Sequence, residues 1–237
     1  MKTIVIIPAR YDSTRFPGKP LALINGKTMI AHMVDNLTCD NYYLVVVTDN
    51  QKIEDEVKSI GGNVVRVNEN VSTGTDRVYI AYDRYFKHQD FDLIINAQGD
   101  EPLLKKENLL DLIEFHKRNT FDVSTLIRQR VNDDEDFNDP STVKVAIEDA
   151  VCYYFSRSPI PYNSTLWCQH IGIYLYEKKF LKKAVSSHQS CMEQIESLEQ
   201  LRFLSLGAKI GAWSIENKLI GVDTPEDITK IEEYLIN

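Results

Sequence analysis

The chain has 237 residues, enough for one large domain or one domain carrying an inserted lobe. Hydrophobic residues make up 43% of it, which supplies a core and excludes a disordered chain. Against 27 Lys plus Arg stand 35 Asp plus Glu, a net charge of −8 with no basic run, so nucleic acid is excluded as the expected partner.

In chain order, Thr3–Ile7 is a continuous apolar strand, and Met29–Leu37 has helical spacing. Tyr43–Val47 is a second strand, and Gln51–Ile60 is a helix stopped by Gly61-Gly62. Asn63–Val67 is a third strand, followed by a helix over Asp76–Phe86 with Val78, Ala81, Tyr82 and Tyr85 on one face. Asp92–Asn96 is a fourth strand, with a helix from Glu107 to Lys117 behind it. Alternation of doubly buried strands with helices predicts a mainly parallel sheet in a three-layer α/β/α arrangement. After about Thr120 the rhythm changes. Val123–Gln129, Thr142–Ile147, Val151–Phe155 and Gln169–Tyr176 crowd together as antiparallel strands do. Gln194–Leu206 is helical, Ala208–Trp213 is a strand, and Pro225–Leu235 is a helix with Thr224 as its cap. The expected organisation is a core of about 1–120 and 207–237, with a smaller, partly antiparallel lobe of about 121–206.

No apolar run has the length that spans a bilayer, and the four apolar residues before Pro8 are too few for a signal peptide. Cys39, Cys152, Cys168 and Cys191 form no CxxC pair, so free thiols in a reducing cytoplasm are expected, with no membrane partner. Two motifs fail on spacing. Gly26-Lys27-Thr28 lacks the P-loop glycine, because Leu21 stands in its place. Asp134, Asp136 and Asn138 lack the glycine and the closing glutamate of an EF-hand.

The chemistry concentrates after the first strand, in Pro8-Ala9-Arg10-Tyr11-Asp12-Ser13-Thr14-Arg15-Phe16-Pro17-Gly18-Lys19-Pro20. Ligands of open α/β sheets sit beyond the carboxyl ends of strands, where loop N–H groups face a bound anion. Arg10, Arg15 and Lys19 add three cations opposed only by Asp12, a local phosphate site in an acidic protein. Asn96-Ala97-Gln98-Gly99-Asp100-Glu101-Pro102 then puts Asp100 at another strand end, where a carboxylate can hold a hard cation against phosphates. Gly221-Val222-Asp223-Thr224-Pro225 offers a second carboxylate, Asp223, where a strand is expected to hand over to the last helix. Ser72-Thr73-Gly74-Thr75-Asp76-Arg77 opens a helix, a natural anion-facing end.

Pro8–Pro20 resembles the signature loop of sugar nucleotidyltransferases, in the form found in CMP-Kdo synthetases, the 3-deoxy-manno-octulosonate cytidylyltransferases. Ser72–Arg77, Asn96–Pro102, Lys144–Tyr162, His170–Tyr174, Glu193–Arg202 and Gly221–Asp227 resemble the same family in the same order, across nearly the whole chain. The resemblance implies a Rossmann-like nucleotidyltransferase fold whose smaller lobe binds sugar and dimerises. It implies activation of the acidic eight-carbon sugar Kdo with CTP for lipopolysaccharide biosynthesis, Mg2+ as cofactor, and a homodimer. Carried over residue by residue, Arg10, Arg15, Lys19 and Asp100 are catalytic, and Asp100 and Asp223 hold the metal. Pro8, Ala9, Arg10, Ser13, Arg15, Lys19, Thr75, Arg77 and Gln98 bind the nucleotide. Gln98, Arg157, His170, Tyr174, Glu199 and Gln200 contact the sugar. Two stretches depart from the family pattern: Tyr162–Gln169 is shorter, and Ser186–Met192 lacks a proline-rich approach. Both border the expected sugar residues, so 8-amino-Kdo or a sialic acid is the alternative acceptor. A non-catalytic nucleotide-binding regulator is the alternative of another class.

Overall fold

Ile4 to Ile7 are fully buried in β1 (Thr3–Ala9), as a run apolar on both faces requires. The structure, a computed structural model, describes residues 1–12, 15–71, 73–131 and 135–236. A hairpin of β2 (Leu23–Ile24) and β3 (Lys27–Thr28) turns at Asn25-Gly26, with φ of 48° and 80°. Positive φ at both positions matches the right-handed twist of the flanking strands, so Gly26-Lys27-Thr28 is turn chemistry. The Thr28 hydroxyl accepts from the Ala31 N–H and starts α1 (Met29–Leu37). β4 (Tyr43–Thr48), α2 (Gln51–Ser59), β5 (Val64–Arg66) and α3 (Gly74–Ala81) follow, with Asn50 and Thr73 capping the two helices. β6 (Leu93–Asn96) and α4 (Lys106–Lys117) come next. Then come β7 (Val123–Val131), β8 (Lys144–Glu148), β9 (Val151–Ser156) and β10 (Leu166–Glu177). Helices α5 (Lys178–Val185), α6 (Cys191–Glu196) and α7 (Gln200–Ser205), strand β11 (Ile210–Ser214) and helix α8 (Pro225–Ile236) complete the order.

The elements depart from the sequence expectation in several places, beginning with the hairpin and α5, neither of which was expected from the sequence. The helix expected over Asp76–Phe86 ends at Ala81 and continues as a π turn, Tyr82–Phe86. The wider turn rotates the face, so Phe86 is buried and Tyr85 is exposed. The single helix expected over Gln194–Leu206 is two, divided at Ser197 with φ 54°. No periodicity shows a residue that leaves the helix through the left-handed region. Gly221–Asp223 is an irregular segment, with no strand running directly into α8. Thr224 is not the expected hydroxyl cap: it donates to Asp227 Oδ2 at 3.2 Å, and that carboxylate also takes the N–H groups of Asp223 and Thr224.

The chain divides into two units. The first is Met1–Asn108 with Asn217–Asn237, and the second is Leu109–Glu216. In the first, β5, β4, β1 and β6 are neighbours in that order and all parallel. Ala9 lies opposite Thr48 and Ile6 opposite Asn96, so the loops leaving β1, β4 and β6 start side by side. In the second, β10, β7, β11, β9 and β8 are neighbours in that order, and β8 also pairs with β10, so the set closes on itself. All these pairs are antiparallel except β11 with β7. Residues 109–120 and 207–216, expected with the core, fall in the second unit, the latter because β11 takes its hydrogen bonds from β7 and β9.

Candidate active site

The loop after β1 is closed by its own backbone. The Gly18 N–H donates to the Tyr11 carbonyl at 2.8 Å, and Gly18 has φ +74°, a conformation only glycine adopts without strain. The chain then enters a short 3-10 turn, Lys19–Leu21, with Pro20 buried. That turn sends Lys19 inward. Its ammonium donates to Asp100 Oδ2 at 3.0 Å and to the Val222 carbonyl, and lies 3.8 Å from Asp223 Oδ1. The Lys19 side chain is 13% exposed, so this charge is held in place. Arg15 donates to Asp223 Oδ1 at 2.9 Å from an exposed position, and Arg10 is exposed. Ser13 lies outside the described residues.

The turn after β6 meets this loop. A Cβ placed on Gly99 would sit 2.5 Å from the Pro8 carbonyl oxygen, so only glycine lets the two backbones approach. Gln98 faces the start of α3, where a Cβ on Gly74 would meet its amide at 3.3 Å. Pro8, Ala9, Arg10, Lys19, Gly74, Arg77, Gln98, Gly99 and Asp100 line one cleft of about 180 Å³. That is less than the roughly 300–1,000 Å³ of a site enclosing a whole drug-sized ligand, so the cleft suits the phosphate end of one. Thr75 is buried, within 3.4 Å of the Asn96 amide, and stands behind the cleft wall.

Carboxylates gather around Lys19. Besides Asp100 and Asp223 there is Glu101, whose Oε2 is buried with no hydrogen-bond partner. Burial, reinforced by the charge of Asp100, pushes the Glu101 carboxyl up to about 8, with Lys19 opposing. A small divalent cation takes one or two carboxylates and completes its shell with phosphate and water oxygens. Asp100 and Asp223 fit that habit. Both are partly exposed, both reach one cationic group, and their oxygens are hard donors. Among the described residues no group of three or more His, Cys, Asp or Glu is placed to hold a metal.

Arg77 is buried, at 2% exposure. It donates to the Val67 carbonyl at 2.6 Å and lies 3.3 Å from Asp49 Oδ2. Burial, above all, lowers its pKa, and Arg10 adds to the effect. Asp49 follows β4 directly, and its other oxygen accepts from the Tyr11 N–H at 3.2 Å. It therefore ties the phosphate loop to Arg77. Sequence reading missed Asp49; the signal was its place at the carboxyl end of the strand beside β1.

The second unit holds the residues expected at the sugar. The Arg157 guanidinium donates to the carbonyls of Glu196 at 2.9 Å, Pro140 at 2.7 Å and Ser197 at 3.3 Å. It therefore spends donors on three backbone segments. Its own N–H donates to Glu196 Oε2 at 2.9 Å, and Ser156 and Tyr154 donate to Oε1. Beside it the fully buried Lys144 donates to the carbonyls of Asp139, Thr142 and Arg157, at 2.7, 2.7 and 2.9 Å. His170 and Tyr174 are buried with ring centroids 5.4 Å apart, and the Tyr174 hydroxyl donates to Gln200 Oε1 at 3.1 Å. Burial pushes the His170 imidazole down to about 3 and the Tyr174 phenol up. Gln200 is buried and opens α7, and Glu199 is its half-buried cap position, so the pair is not a solvated helix face. Arg202 grips Glu193 with two donors, at 2.9 and 2.6 Å, and reaches Glu199 at 3.4 Å. Glu196, Lys144, Glu193 and Arg202 were not singled out from sequence, because charged residues of helices and strands read as surface until their partners are known.

Comparison with known proteins shows the family and the fold. The model of a family described as "Cytidylyltransferase" matches residues 4–210. The 3-deoxy-manno-octulosonate cytidylyltransferase of Thermodesulfovibrio yellowstonii is 39% identical, over 99% of this chain and 98% of its own. Its counterpart in Parabacteroides distasonis is 40% identical, over 100% and 99%. A solved CMP:2-keto-3-deoxy-manno-octonic acid synthetase complexed with CTP superposes with a TM-score of 0.90 at 34% identity, covering 100% of this chain and 99% of its own. A 4-diphosphocytidyl-2C-methyl-D-erythritol synthase from Anaerococcus prevotii superposes at 0.67 and 17% identity, a likeness of fold alone. With its parallel β5-β4-β1-β6 sheet, its cation-bearing loop after β1 and full-length identity near two residues in five, the chain belongs to the cytidylyltransferase family, among the 3-deoxy-manno-octulosonate cytidylyltransferases, and has the α/β nucleotidyltransferase fold.

Proposed function

We propose that the chain transfers the cytidylyl group of CTP to the anomeric hydroxyl of Kdo, giving CMP-Kdo and pyrophosphate for lipopolysaccharide biosynthesis in the cytoplasm, with Mg2+ as cofactor. The observation that carries this reading is the cleft at the end of β1, where one held ammonium, Lys19, stands between the phosphate loop and the Asp100 carboxylate. Full-length relatives bearing the cytidylyltransferase name, and a near neighbour complexed with CTP, support the choice of base and acceptor.

In this reading Arg10, Arg15 and Lys19, with the N–H groups of Pro8–Lys19, bind the triphosphate and offset the charge that develops as pyrophosphate leaves. Thr75, Arg77 and Gln98 complete the nucleotide side, Arg77 by fixing the cleft wall rather than by reaching out. Asp100 and Asp223 would hold the magnesium ion, whose chemistry when bound is neutralisation of phosphoryl oxygen charge. Arg157, His170, Tyr174, Glu199 and Gln200 orient the sugar acid, so that the anomeric oxygen bonds to the α-phosphorus as the bond to the β-phosphate oxygen breaks. The bound sugar and nucleotide are both anionic, and holding them in line supplies much of the acceleration. The active species is assigned as a homodimer through the second unit, where Val131 and Leu166, paired across β7 and β10, are both exposed.

The test is pyrophosphate release from each of the four ribonucleoside triphosphates with Kdo, 8-amino-Kdo and a sialic acid, with magnesium and with a chelator. Release with CTP, Kdo and magnesium, and little elsewhere, is expected. Release with 8-amino-Kdo or the sialic acid and not with Kdo overturns the acceptor. Undiminished release in chelator overturns the metal.

A further inference from the structure

The β10 strand breaks its register where it carries the expected sugar residues. Ile171 pairs with Leu126 and Tyr174 with Thr125, so three residues of β10 advance against one of β7. The two extra residues leave parity intact, which keeps His170, Tyr174 and Thr125 on one face. The carbonyls of Ile171 and Ile173, at the two sides of the bulge, both face Thr125. Thr125, fully buried, meets them: its hydroxyl lies 2.7 Å from the Ile173 oxygen and 3.1 Å from the Ile171 oxygen. The same hydroxyl lies 3.0 Å from Nε2 of His170.

A hydroxyl has one proton and two lone pairs. Both carbonyls can only accept. Were the proton given to the imidazole, two carbonyl oxygens would face the hydroxyl's lone pairs at close range in a buried place, an expensive arrangement. The proton therefore goes to the bulge carbonyls, and the lone pair facing His170 must receive a hydrogen from Nε2.

We propose that Thr125 is a positioning residue: it locks His170 as the neutral Nε2–H tautomer, so that Nδ1 presents a lone pair and accepts a hydrogen bond from a hydroxyl of the acidic sugar. This rests on the reading that His170 contacts the sugar. Burial, which keeps the ring uncharged, supplies the other half of the device. The edge of Phe155, with centroids 4.9 Å apart, and the Tyr174 ring confine the imidazole plane.

Two measurements test it. Nitrogen-15 spectra of histidine-labelled protein, with the His170 signals assigned by loss in His170→Gln, report the tautomer in the free protein. The wild type should show a protonated Nε2 and a bare Nδ1; the reverse overturns the proposal. Steady-state kinetics then compare Thr125→Val, which keeps shape and loses the hydroxyl, with Thr125→Ser, which keeps the hydroxyl. The expected result is a rise of about tenfold in KM for Kdo in the valine variant, the scale of one lost hydrogen bond, with KM for CTP unchanged and rescue by serine. Equal rises for both substrates overturn the positioning role and leave only a structural one. An unchanged Kdo KM in His170→Gln overturns instead the sugar contact beneath the proposal, whatever the tautomer.

Discussion

Lys19 and Asp100 stand 81 residues apart in the chain and meet at 3.0 Å. One follows β1 and the other follows β6, and the parallel pairing of those strands brings their carboxyl ends together. The contact joins the phosphate loop to the residue that fits a metal. It also balances Asp100 and Asp223, two of the three carboxylates crowded there.

Asp100→Asn keeps the size of the side chain and an oxygen for Lys19, but removes the charge. The expected outcome is loss of pyrophosphate release from CTP and Kdo with an unchanged circular dichroism spectrum. Magnesium titration should show no recovery. Near-normal turnover would end the metal role of Asp100.

Gly99→Ala puts a methyl group 2.5 Å from the Pro8 carbonyl oxygen, against backbone that cannot turn aside. Overpacking of this kind costs about 1–3 kcal/mol. Calorimetry should show a lower Tm, and titration with CTP a weaker Kd, since Pro8 and Gln98 line the same cleft. A normal CTP Kd in the variant would separate the cleft from nucleotide binding.

Asp49 faces a buried guanidinium and a loop N–H at once. Asp49→Asn leaves Arg77 without its counter-charge, and urea unfolding should report a loss of about 1–3 kcal/mol. Arg77→Met alone leaves Asp49, which is partly exposed, far better solvated. In a double-mutant cycle the combined variant should be more stable than the two losses summed. Strict additivity would show that the pair does not interact.

Acid sensitivity follows from two buried histidines. His116, whose Nδ1 lies 2.8 Å from the Ser124 hydroxyl, is pushed by burial from 6.5 to about 4, and His170 to about 3. Between those values and 6.5 the unfolded chain binds protons that the folded chain does not. Stability is therefore full above pH 6.5 and falls as pH drops toward 4. At 1.36 kcal/mol per pKa unit, each histidine contributes a loss on the order of 2 kcal/mol between pH 6.5 and pH 5. Denaturant unfolding of His116→Asn should lose correspondingly less over that interval. An equal loss in variant and wild type would place the acid sensitivity elsewhere.

Much of the first unit was legible beforehand. Runs apolar on both faces, such as Ile4–Ile7 and Val45–Val47, are buried in parallel strands of that unit, and a helix such as Met29–Leu37 shows its own period. The clustering of Arg10, Arg15 and Lys19 after a buried strand was legible for the same reason, since it is a local feature of the chain. Less legible were elements whose limits depend on one dihedral or one partner. Ser197 divides a helix through a left-handed turn, and β11 joins the second unit through pairing with β7.

The sequence by itself determined the alternation of strand and helix and the placement of the Pro8–Lys19 cations and of Asp100 after strands, because these are properties of local pattern, and its motif blocks carried the resemblance to the cytidylyltransferases. Only the tertiary structure decided which charges meet. Lys19 between Asp100 and Asp223, Arg77 on Asp49, and Thr125 beneath His170 are contacts across 28 to 204 residues. A buried polar group takes its protonation and orientation from the partners around it, and strand pairing, not neighbouring sequence, chooses those partners.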